Sequence, residues 1–565
     1  MPYQRVLLQL SIFLAIVLAG LAALLTAEAA CATWLPGDTL WTLRHVIETV
    51  LARIAGTAPE GGAFCTAGGG VATVLDAAGW YLPVLGGVLL AQGLYEWWRH
   101  DLLRAFLVWR GRHALVLGDG ADLAPLAGPL RKAGSLLLVG RDRRGLEDIR
   151  RGFWRLSSCT ADGPPARFGA GRARSILAVS RSDVANLNFV ERLKLANADL
   201  PPVTLRIENA AIRAAQRTGG TGIEEISLDQ TMFRTGARLG DPGRLFAAGA
   251  YPAHIVFVGA GPRLGELALH LAAFGYGLER AMPRFSIVST AGAGTLPVVE
   301  RLRAAGGVAD LRFASIDRAD AVALERTLAT LIADTDAIAA IHCIDQSPGE
   351  ALASALVAAA TLALLKPAHA PPVIAYASAG EDVPDAAIAA GVIVVAAENL
   401  ATVIAENDRR DRVARAVHEA YLAHQQAQAT GEFGTAPAER PWDALAMAFR
   451  DDNRAVADHI DHMLMASGLT RRPSTAAPVM LDADQIERMS AMAHARWMAG
   501  RLLGGWRYGP ERSEPLRLHP SLVPYDALSD VEKDKDRQQI RAIPHILAIL
   551  GEEIGQAHQA IGEST

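Results

Sequence analysis

The chain has 565 residues, which is more than one hydrophobic core can organise, and its length therefore implies several folding units. Its formal net charge of -5 gives no indication of nucleic acid as a partner. The apolar fraction of 51% is high for a water-soluble protein, so local apolar segments must account for the excess.

An uncharged apolar run of 22 residues, Val6–Ala27, begins close to the N-terminus. At about 1.5 Å rise per residue, a helix of this length crosses a hydrocarbon core of about 30 Å. A second apolar stretch, Ala77–Tyr95, is interrupted by Pro83. A cleavable signal peptide is the alternative for the first run, because the alanines at 27–30 resemble a cleavage site. Its length and the second stretch favour a membrane anchor.

Arginines lie at both ends of this membrane region in the sequence, and after two membrane crossings both ends are on the same side of the membrane. Arg5 precedes the first stretch, and four arginines between 99 and 112 follow the second. Positive charge concentrates on the cytoplasmic side, so we expect a multi-pass protein of the inner membrane with both termini in the cytoplasm. Residues 28–76 then face outward, and a disulfide between Cys31 and Cys65 is expected in that oxidising compartment.

The first segment after the membrane region has the order of a dinucleotide-binding unit. A buried strand at 113–117 leads into the turn Gly118-Asp-Gly120, a helix and a second strand. Asp142 follows about 20 residues past the turn, where an acid binds ribose hydroxyls, while the glycines admit a pyrophosphate. Leu123 replaces the third glycine. Two interpretations stay open: a site for NAD(H) or another adenine nucleotide, or an empty scaffold.

The following residues extend this pattern. A strand at 175–179 precedes Asp183 and Asn186, and another strand lies at 203–207. The segment 111–245 resembles the TrkA-N or RCK family, the ligand-gating domains of potassium channels and transporters. The resemblance implies a doubly wound α/β unit, a cofactor-binding role for Asp183 beside the glycines, and assembly into homo-oligomers.

The pattern then repeats over 246–405. A strand at 254–258 runs into the turn Gly259-Ala-Gly261, and a helix and further strands follow. Leu264 again replaces the third glycine, and a serine and a threonine stand where the acid would be. The second unit is predicted to be a structural copy rather than the stronger nucleotide site, although Gly259 and Gly261 stay candidate cofactor-binding residues.

The C-terminal part, 411–565, is predicted to be helical. Within it, 484–545 contains HARW, GWRYGP, HPSLVPY and a final EK, and it closely resembles the RyR domain, the repeat named after ryanodine receptors. The matching positions are His494, Trp497, Trp506, Tyr508, Arg512, His519 and Tyr525. A similar pattern lies upstream, where His418 corresponds to His494 and Leu445 corresponds to Leu528. This internal repeat predicts a duplicated module.

These residues have two interpretations. They are core aromatics with hydrogen-bonded histidines, or they form a pocket in which aromatic faces stack on a base while arginine and histidine meet phosphate. The resemblance implies a small nucleotide-type ligand. No GxSxG, HExxH, Walker A or CxxC pattern occurs, so neither an enzyme nor a metal site is expected.

The predicted fold class is α/β: two transmembrane helices in 1–110, two Rossmann-like units and a helical RyR-like module. This order favours a nucleotide-sensing, ion-channel-like protein that acts as a homo-oligomer, a tetramer or a dimer of dimers, because two helices cannot enclose a pore. The outer loop continues as Gly61-Gly-Ala-Phe-Cys65 and contains no potassium filter. That departure favours the alternative, a non-selective membrane-tethered sensor or antiphage-type effector triggered by a nucleotide messenger.

Overall fold

A computed structural model describes most of the body that follows the predicted membrane region. The described residues are 103–118, 135–139, 156–159, 164–197, 199–216, 223–290, 296–317, 320–333, 338–345, 347–377, 383–396, 399–428, 433–474 and 480–556, with single positions between 88 and 126. Within these ranges, no helix is both long enough and apolar enough to cross a bilayer. Both predicted spans lie outside them, apart from isolated positions of the second, as do Cys31 and Cys65.

The first six strands form one parallel sheet in the order β3-β2-β1-β4-β5-β6. They are β1 (Ala114–Leu117), β2 (Leu136–Val139), β3 (Leu156–Cys159), β4 (Ser175–Ala178), β5 (Val203–Arg206) and β6 (Ile223–Ile226). Every side chain of β1 and β2 is buried, as inner strands of a sheet covered on both faces require. The order is that of a doubly wound dinucleotide fold, with its switch point between β1 and β4. The predicted α/β unit is confirmed.

The next six strands form a second parallel sheet in the order β12-β11-β10-β7-β8-β9. They are β7 (His254–Gly259), β8 (Arg284–Ser289), β9 (Asp310–Ser315), β10 (Ile338–Ile344), β11 (Val373–Ala377) and β12 (Ile393–Ala396). Counted from its own first strand, the second sheet has the order of the first. The tandem repetition of the α/β unit is therefore confirmed.

The described helices cover both sheets and build the C-terminal module. They are α1 (Asp183–Ala196), α2 (Ala210–Gln216), α3 (Leu228–Leu239), α4 (Gly243–Ala247), α5 (Gly261–Ala272), α6 (Leu296–Ala305), α7 (Ala321–Ala333), α8 (Pro348–Leu365), α9 (Asp385–Ala389), α10 (Leu400–Gln428), α11 (Met447–Ala466), α12 (Ala483–Leu503), α13 (Asp530–Arg541) and α14 (Ile543–Ile549). A further helical segment, 103–110, precedes β1.

Helix α3 follows the last strand of the first sheet but packs on the second sheet. Its Phe233 is buried in the core of the second unit. A Cβ atom on Gly236 would lie 1.8 Å from the hydroxyl oxygen of Tyr376, so only glycine permits this approach. The unit boundary predicted after residue 245 therefore follows a helix that already belongs to the second core.

Helix α10 is shared between the first unit and the C-terminal module. Its Leu400 and Val403 are buried in the core of the first sheet. Three turns further on, Val413 and Val417 are buried in the core of the module. The boundaries predicted at 405 and 411 both lie inside this continuous helix, which contributes to both cores.

The C-terminal module consists of two halves with the same order of elements. Each half has a long helix, a 3-10 turn, further helix and a strand, with the turns at Trp442–Ala444 and Tyr525–Ala527. The two strands are β13 (Leu469–Pro473) and β16 (Glu552–Gln556), and they pair antiparallel to each other. Each strand follows a glycine with positive φ, Gly468 or Gly551. The second half also contains β14 (Arg507–Tyr508) and β15 (Leu518–His519).

Candidate functional site

The first glycine turn begins at Gly118, directly after β1. A Cβ atom on Gly118 would lie 2.8 Å from Cδ2 of Leu123, and the side chain of Leu123 is fully buried. Leucine at the third glycine position therefore packs over the end of the strand. Gly120 and Asp142 lie outside the described residues, so their roles stay predictions.

Asp183 lies in the first turn of α1, at the carboxyl edge of the first sheet. Its two carboxylate oxygens accept hydrogen bonds from the backbone N–H groups of Glu208 (3.1 Å) and Asn209 (2.9 Å). Asp183 thus ties α1 to the segment after β5. A ribose hydroxyl at this position would have to share the carboxylate with both backbone donors.

Asn186, which together with Asp183 supports the resemblance to the TrkA-N or RCK family, is fully buried. Its Oδ1 accepts from the N–H of Ser180 at 2.9 Å, and its Nδ2 donates to the carbonyl oxygens of Ser180 (2.8 Å) and Arg206 (2.9 Å). One side chain therefore connects the ends of β4 and β5 at the edge where a cofactor would lie.

Asn186→Ala is expected to lower the opening free energy of β4 and β5 by about 2–4 kcal/mol, because two buried backbone groups of Ser180 and the half-buried carbonyl of Arg206 lose their partner. Hydrogen exchange followed by mass spectrometry on these strands measures the change. Asn197→Ala is the control, since Asn197 makes a single bond to the carbonyl of Leu193 (2.9 Å) at the end of the same helix. Equal protection in the two variants would contradict the assigned role of Asn186.

The second glycine turn requires glycine for backbone reasons. Gly259 has φ of 137°, and a Cβ atom there would lie 1.8 Å from the carbonyl oxygen of Ile344. Gly261 has φ of 83°. Pro262 follows in the first turn of α5 and has no N–H, so the helix start has one donor fewer for a phosphate.

The switch point of the second sheet is occupied by polar groups that bind one another. Asp345 follows β10 and is buried, and its Oδ2 accepts from the hydroxyl of Thr290 at 3.3 Å. Arg263 donates to the carbonyl oxygen of Asp345 (3.4 Å) and to the carboxylate of Asp229 (2.8 Å). This arrangement favours the structural interpretation of the second unit.

In the C-terminal module, five of the seven predicted residues form one row of rings. The ring centroids of Tyr525 and His494 lie 6.1 Å apart, and those of His494 and Trp497 lie 5.4 Å apart. His519 continues the row at 4.9 Å from Trp497 and 6.3 Å from Trp506. The tertiary structure thus brings together residues that span more than thirty sequence positions.

The Tyr525 end of the row is structural. Nε2 of His494 donates to the carbonyl oxygen of Val523 at 2.9 Å, and burial raises the pKa of Tyr525 to about 12. The first half repeats this bond, since Nε2 of His418 donates to the carbonyl oxygen of Arg440 at 2.8 Å. Val523 and Arg440 both stand two residues before the aromatic residue of their 3-10 turn. His494 and Tyr525 therefore match the core interpretation.

The other end of the row lies on a segment that is longer in the second half. His418 precedes Leu445 by 27 residues, whereas His494 precedes Leu528 by 34. The additional residues accompany β14 and β15, whose parallel pairing places Tyr508 beside His519. We call residues 504–520 the aromatic loop. Because its length is specific to the second half, the common two-half architecture does not account for it.

The aromatic loop presents both stacking faces and charge to solvent. The side chain of Tyr508 is 60% exposed, and Trp506 is half-buried. Arg512 is exposed and pairs with Glu514 at 2.6 Å. Partial burial, and then the charges of Arg512 and Arg501, lower the pKa of His519, so a neutral imidazole faces the loop at neutral pH.

Arg501 is a member of this site that the motif comparison missed. Its guanidinium lies over the rings of Trp497 (5.9 Å) and Trp506 (5.4 Å) and donates to Asp452 at 3.3 Å. A planar ligand must stack on the free face of Trp506 or displace Arg501. Arg501 could have been predicted from the sequence, because it follows Trp497 by four residues and therefore lies on the same face of the helix.

The fold and these contacts define the class: a protein with two tandem dinucleotide-type α/β units and a helical module that carries an aromatic, basic loop. Residues 479–556 match the model of the RyR domain, so the predicted RyR resemblance is confirmed for the second half of the module.

Solved structures of a channel are also similar to the chain. The GsuK bound to ADP is 16% identical over 70% of this chain and 97% of that chain, with a TM-score of 0.38. The GsuK channel bound to NAD is 14% identical over 83% of this chain and 88% of that chain, with a TM-score of 0.35. The GsuK RCK domain is 13% identical over 67% and 84% of the two chains, with a TM-score of 0.34. The fold assignment rests on the strand order of the two sheets.

Proposed function

We propose that this chain is a membrane-embedded sensor in which a nucleotide-type ligand of the helical module controls ion movement through the membrane region. The observation that carries the proposal is the shared helix α10. Its first turns are buried in the first α/β unit through Leu400 and Val403, and its later turns are buried in the module. A change in the module therefore reaches the unit next to the membrane region through one rigid element.

The link continues toward the predicted membrane region. In the helical segment 103–110, Leu107 is buried, and Val108 packs on the core that contains Phe168 and Ile176. The N–H of Arg112 donates to the carbonyl oxygen of Arg172 at 2.7 Å. Ligand binding then shifts a two-state gate only through a difference in affinity between the two states.

The aromatic loop supplies the chemistry for the ligand. Trp506 and Tyr508 offer faces for a planar base, and Arg512 and His519 offer hydrogen bonds to phosphate oxygens. The first α/β unit is the candidate for a resident NAD(H) or other adenine nucleotide, because its sequence has Ala121 at the position that corresponds to Pro262.

Arg512→Ala is expected to remove one charge-assisted contact worth about 1.5–3 kcal/mol of binding, while stability changes little because the side chain is exposed. Thermal shift of the full chain against nucleotides and cyclic dinucleotides measures both effects. Arg541→Ala, an exposed arginine on α13, is the control and should keep the ligand shift. A panel in which no compound shifts the wild-type protein, or a loss of shift equal in both variants, would count against the site.

Planar-bilayer recording tests the functional part. A ligand-gated channel gives stable single-channel steps with a fixed reversal potential that appear on addition of the ligand. Mass photometry in nanodiscs should show a homo-oligomer, a tetramer or dimer of dimers in our proposal, and a purely monomeric protein would remove the channel.

The second candidate function is a non-selective membrane effector triggered by the same kind of ligand. The absence of a filter sequence between the two predicted spans favours it. Large, unselective conductance in the same recordings would assign the protein to this class instead.

A further inference from the structure

A groove between α10 and the end of α14 combines positive charge with an apolar wall. Its cavity has a volume of about 250 Å³. We call it the arginine groove, and it is lined by Arg409, Arg412, Arg415, Ala416, Glu419, Ile549, Leu550 and Glu552. The volume lies below the range of about 300–1,000 Å³ that is typical of sites for drug-sized ligands, so the groove suits a small ligand.

Two of the arginines are held in place with hydrogen-bond donors to spare. Arg409 donates one bond to Glu552 at 3.0 Å. Arg415 lies over the ring of Trp442 at 5.7 Å and donates one bond to Asp443 at 3.2 Å. A guanidinium has five N–H donors in a fixed fork, so both side chains keep donors for an anion.

The third arginine has no such partner. Among the described residues, no carboxylate oxygen lies within 4 Å of the guanidinium of Arg412, which is exposed. Arg409, Arg412 and Arg415 follow one another at intervals of three residues on α10, and like charges at this spacing repel each other. Asp408, one turn before Arg412 on α10, is close enough for the charge of Arg412 to act on it.

The lining of the groove contains three arginines and two acids, Glu419 and Glu552. Glu552 is already shared between Arg409 and Arg471, each at 3.0 Å. Glu419 is exposed. Behind the lining, Asp443 pairs with Arg415 and Asp461 pairs with Arg471. The guanidinium of Arg412 is therefore the one in the lining that lacks a carboxylate partner among the described residues, and it is available to an anion.

We infer that the arginine groove binds a small soluble ligand that carries a pyrophosphate or a comparable pair of phosphate groups. Arginine forks bind phosphate oxygens through paired N–H bonds, and the three guanidinium groups supply several such forks. Ile549 is 53% exposed beside them and offers an apolar surface to the rest of the ligand. This site is separate from the aromatic loop, and the inference does not depend on the proposed function.

The test titrates the full chain, in phosphatidylcholine nanodiscs at low ionic strength, with inorganic pyrophosphate by calorimetry. Arg412→Gln should weaken binding at least about ten-fold, because the unpaired guanidinium is lost from the groove. Arg488→Gln is the matched control. Arg488 occupies the position of Arg412 in the other half, because each follows directly after the acid that pairs with an arginine of the next helix, Glu487 or Asp411. Arg488 is also exposed. Its change should leave the dissociation constant within about two-fold.

If Arg412→Gln does not fold, a second pair of variants, Arg412→Lys and Arg488→Lys, replaces it. Lysine keeps the positive charge but lacks the paired N–H donors of the guanidinium, so these variants test whether the paired donors bind the ligand. Only the change at Arg412 should weaken binding. Nanodiscs that contain phosphatidic acid distinguish a lipid headgroup from a soluble ligand, and unchanged pyrophosphate binding supports the soluble source. Wild-type protein that binds no pyrophosphate, equal losses at Arg412 and Arg488, or displacement by phosphatidic acid would overturn the inference.

Discussion

Arg454→Met is expected to lower the opening free energy of the helical module by about 3–5 kcal/mol, the largest stability effect we predict. The side chain of Arg454 is 4% exposed and pairs with Asp411 through two bonds of 2.6 Å. It also donates to Asp451 at 3.0 Å. Burial opposes its charge, but the two acids outweigh burial and raise the pKa of Arg454 above its usual range. Methionine would leave both carboxylates without their cation.

The second half of the module provides a control at the equivalent position. Arg537 pairs with Glu487 at 2.7 Å, as Arg454 pairs with Asp411, but the two side chains are 22% and 46% exposed. Water solvates both groups when the pair is broken, so Arg537→Met should cost about 1 kcal/mol or less. Hydrogen exchange of α11 and α13 in the full chain measures both changes. Similar losses in the two variants would show that burial does not separate the two ion pairs.

Acidification from pH 6.5 to pH 5 is expected to remove about 2 kcal/mol of stability through His342 alone. His342 lies in β10, fully buried, and its Nδ1 is 2.9 Å from the hydroxyl of Tyr376. Burial lowers the pKa of His342 to about 3. The unfolded chain therefore binds a proton near pH 6.5 that the folded chain does not. The stability is complete above the unfolded pKa and is lost progressively as the pH falls toward the folded pKa.

A second buried histidine acts in the same direction. Burial, followed by the charge of His462, lowers the pKa of His459, which lies in α11 between the module and the second unit. Buried acids with raised pKa values act in the opposite direction, so the test compares variants rather than absolute slopes. His342→Gln should reduce the pH dependence of the opening free energy of β10 by about one proton between pH 6.5 and 5. An unchanged slope would mean that His342 is already protonated in the folded protein.

Local sequence patterns were sufficient to predict the central strands of both sheets. The strand β1 is a wholly apolar run, and β7 is apolar after His254. Both lead into glycine turns, and all their side chains are buried. The peripheral strands β3, β6, β9 and β12 were not predicted. β6 has the sequence IEEI and β9 alternates between exposed and half-buried positions, because an outer strand shares one face with solvent and loses the apolar signal.

The candidate site could also be predicted only in part from the sequence. The motif of the RyR-like segment specified His494, Trp506 and His519 from sequence alone, and the echo of His418 indicated two halves. The sequence did not separate structural from exposed positions. That distinction depends on the carbonyl oxygens that His494 and His418 reach across the module, and on the longer segment that carries Trp506 and His519.

By itself, the sequence determined the order of units, the two parallel sheets and the RyR-like segment, because each depends on residues close together in the chain. Only the tertiary structure decided that α10 belongs to two cores, that α3 packs on the second sheet through Gly236, and that Arg412 faces a groove with Ile549. These features join residues that are distant in sequence. Their energies come from burial and charge in three dimensions, and no short sequence window contains both partners.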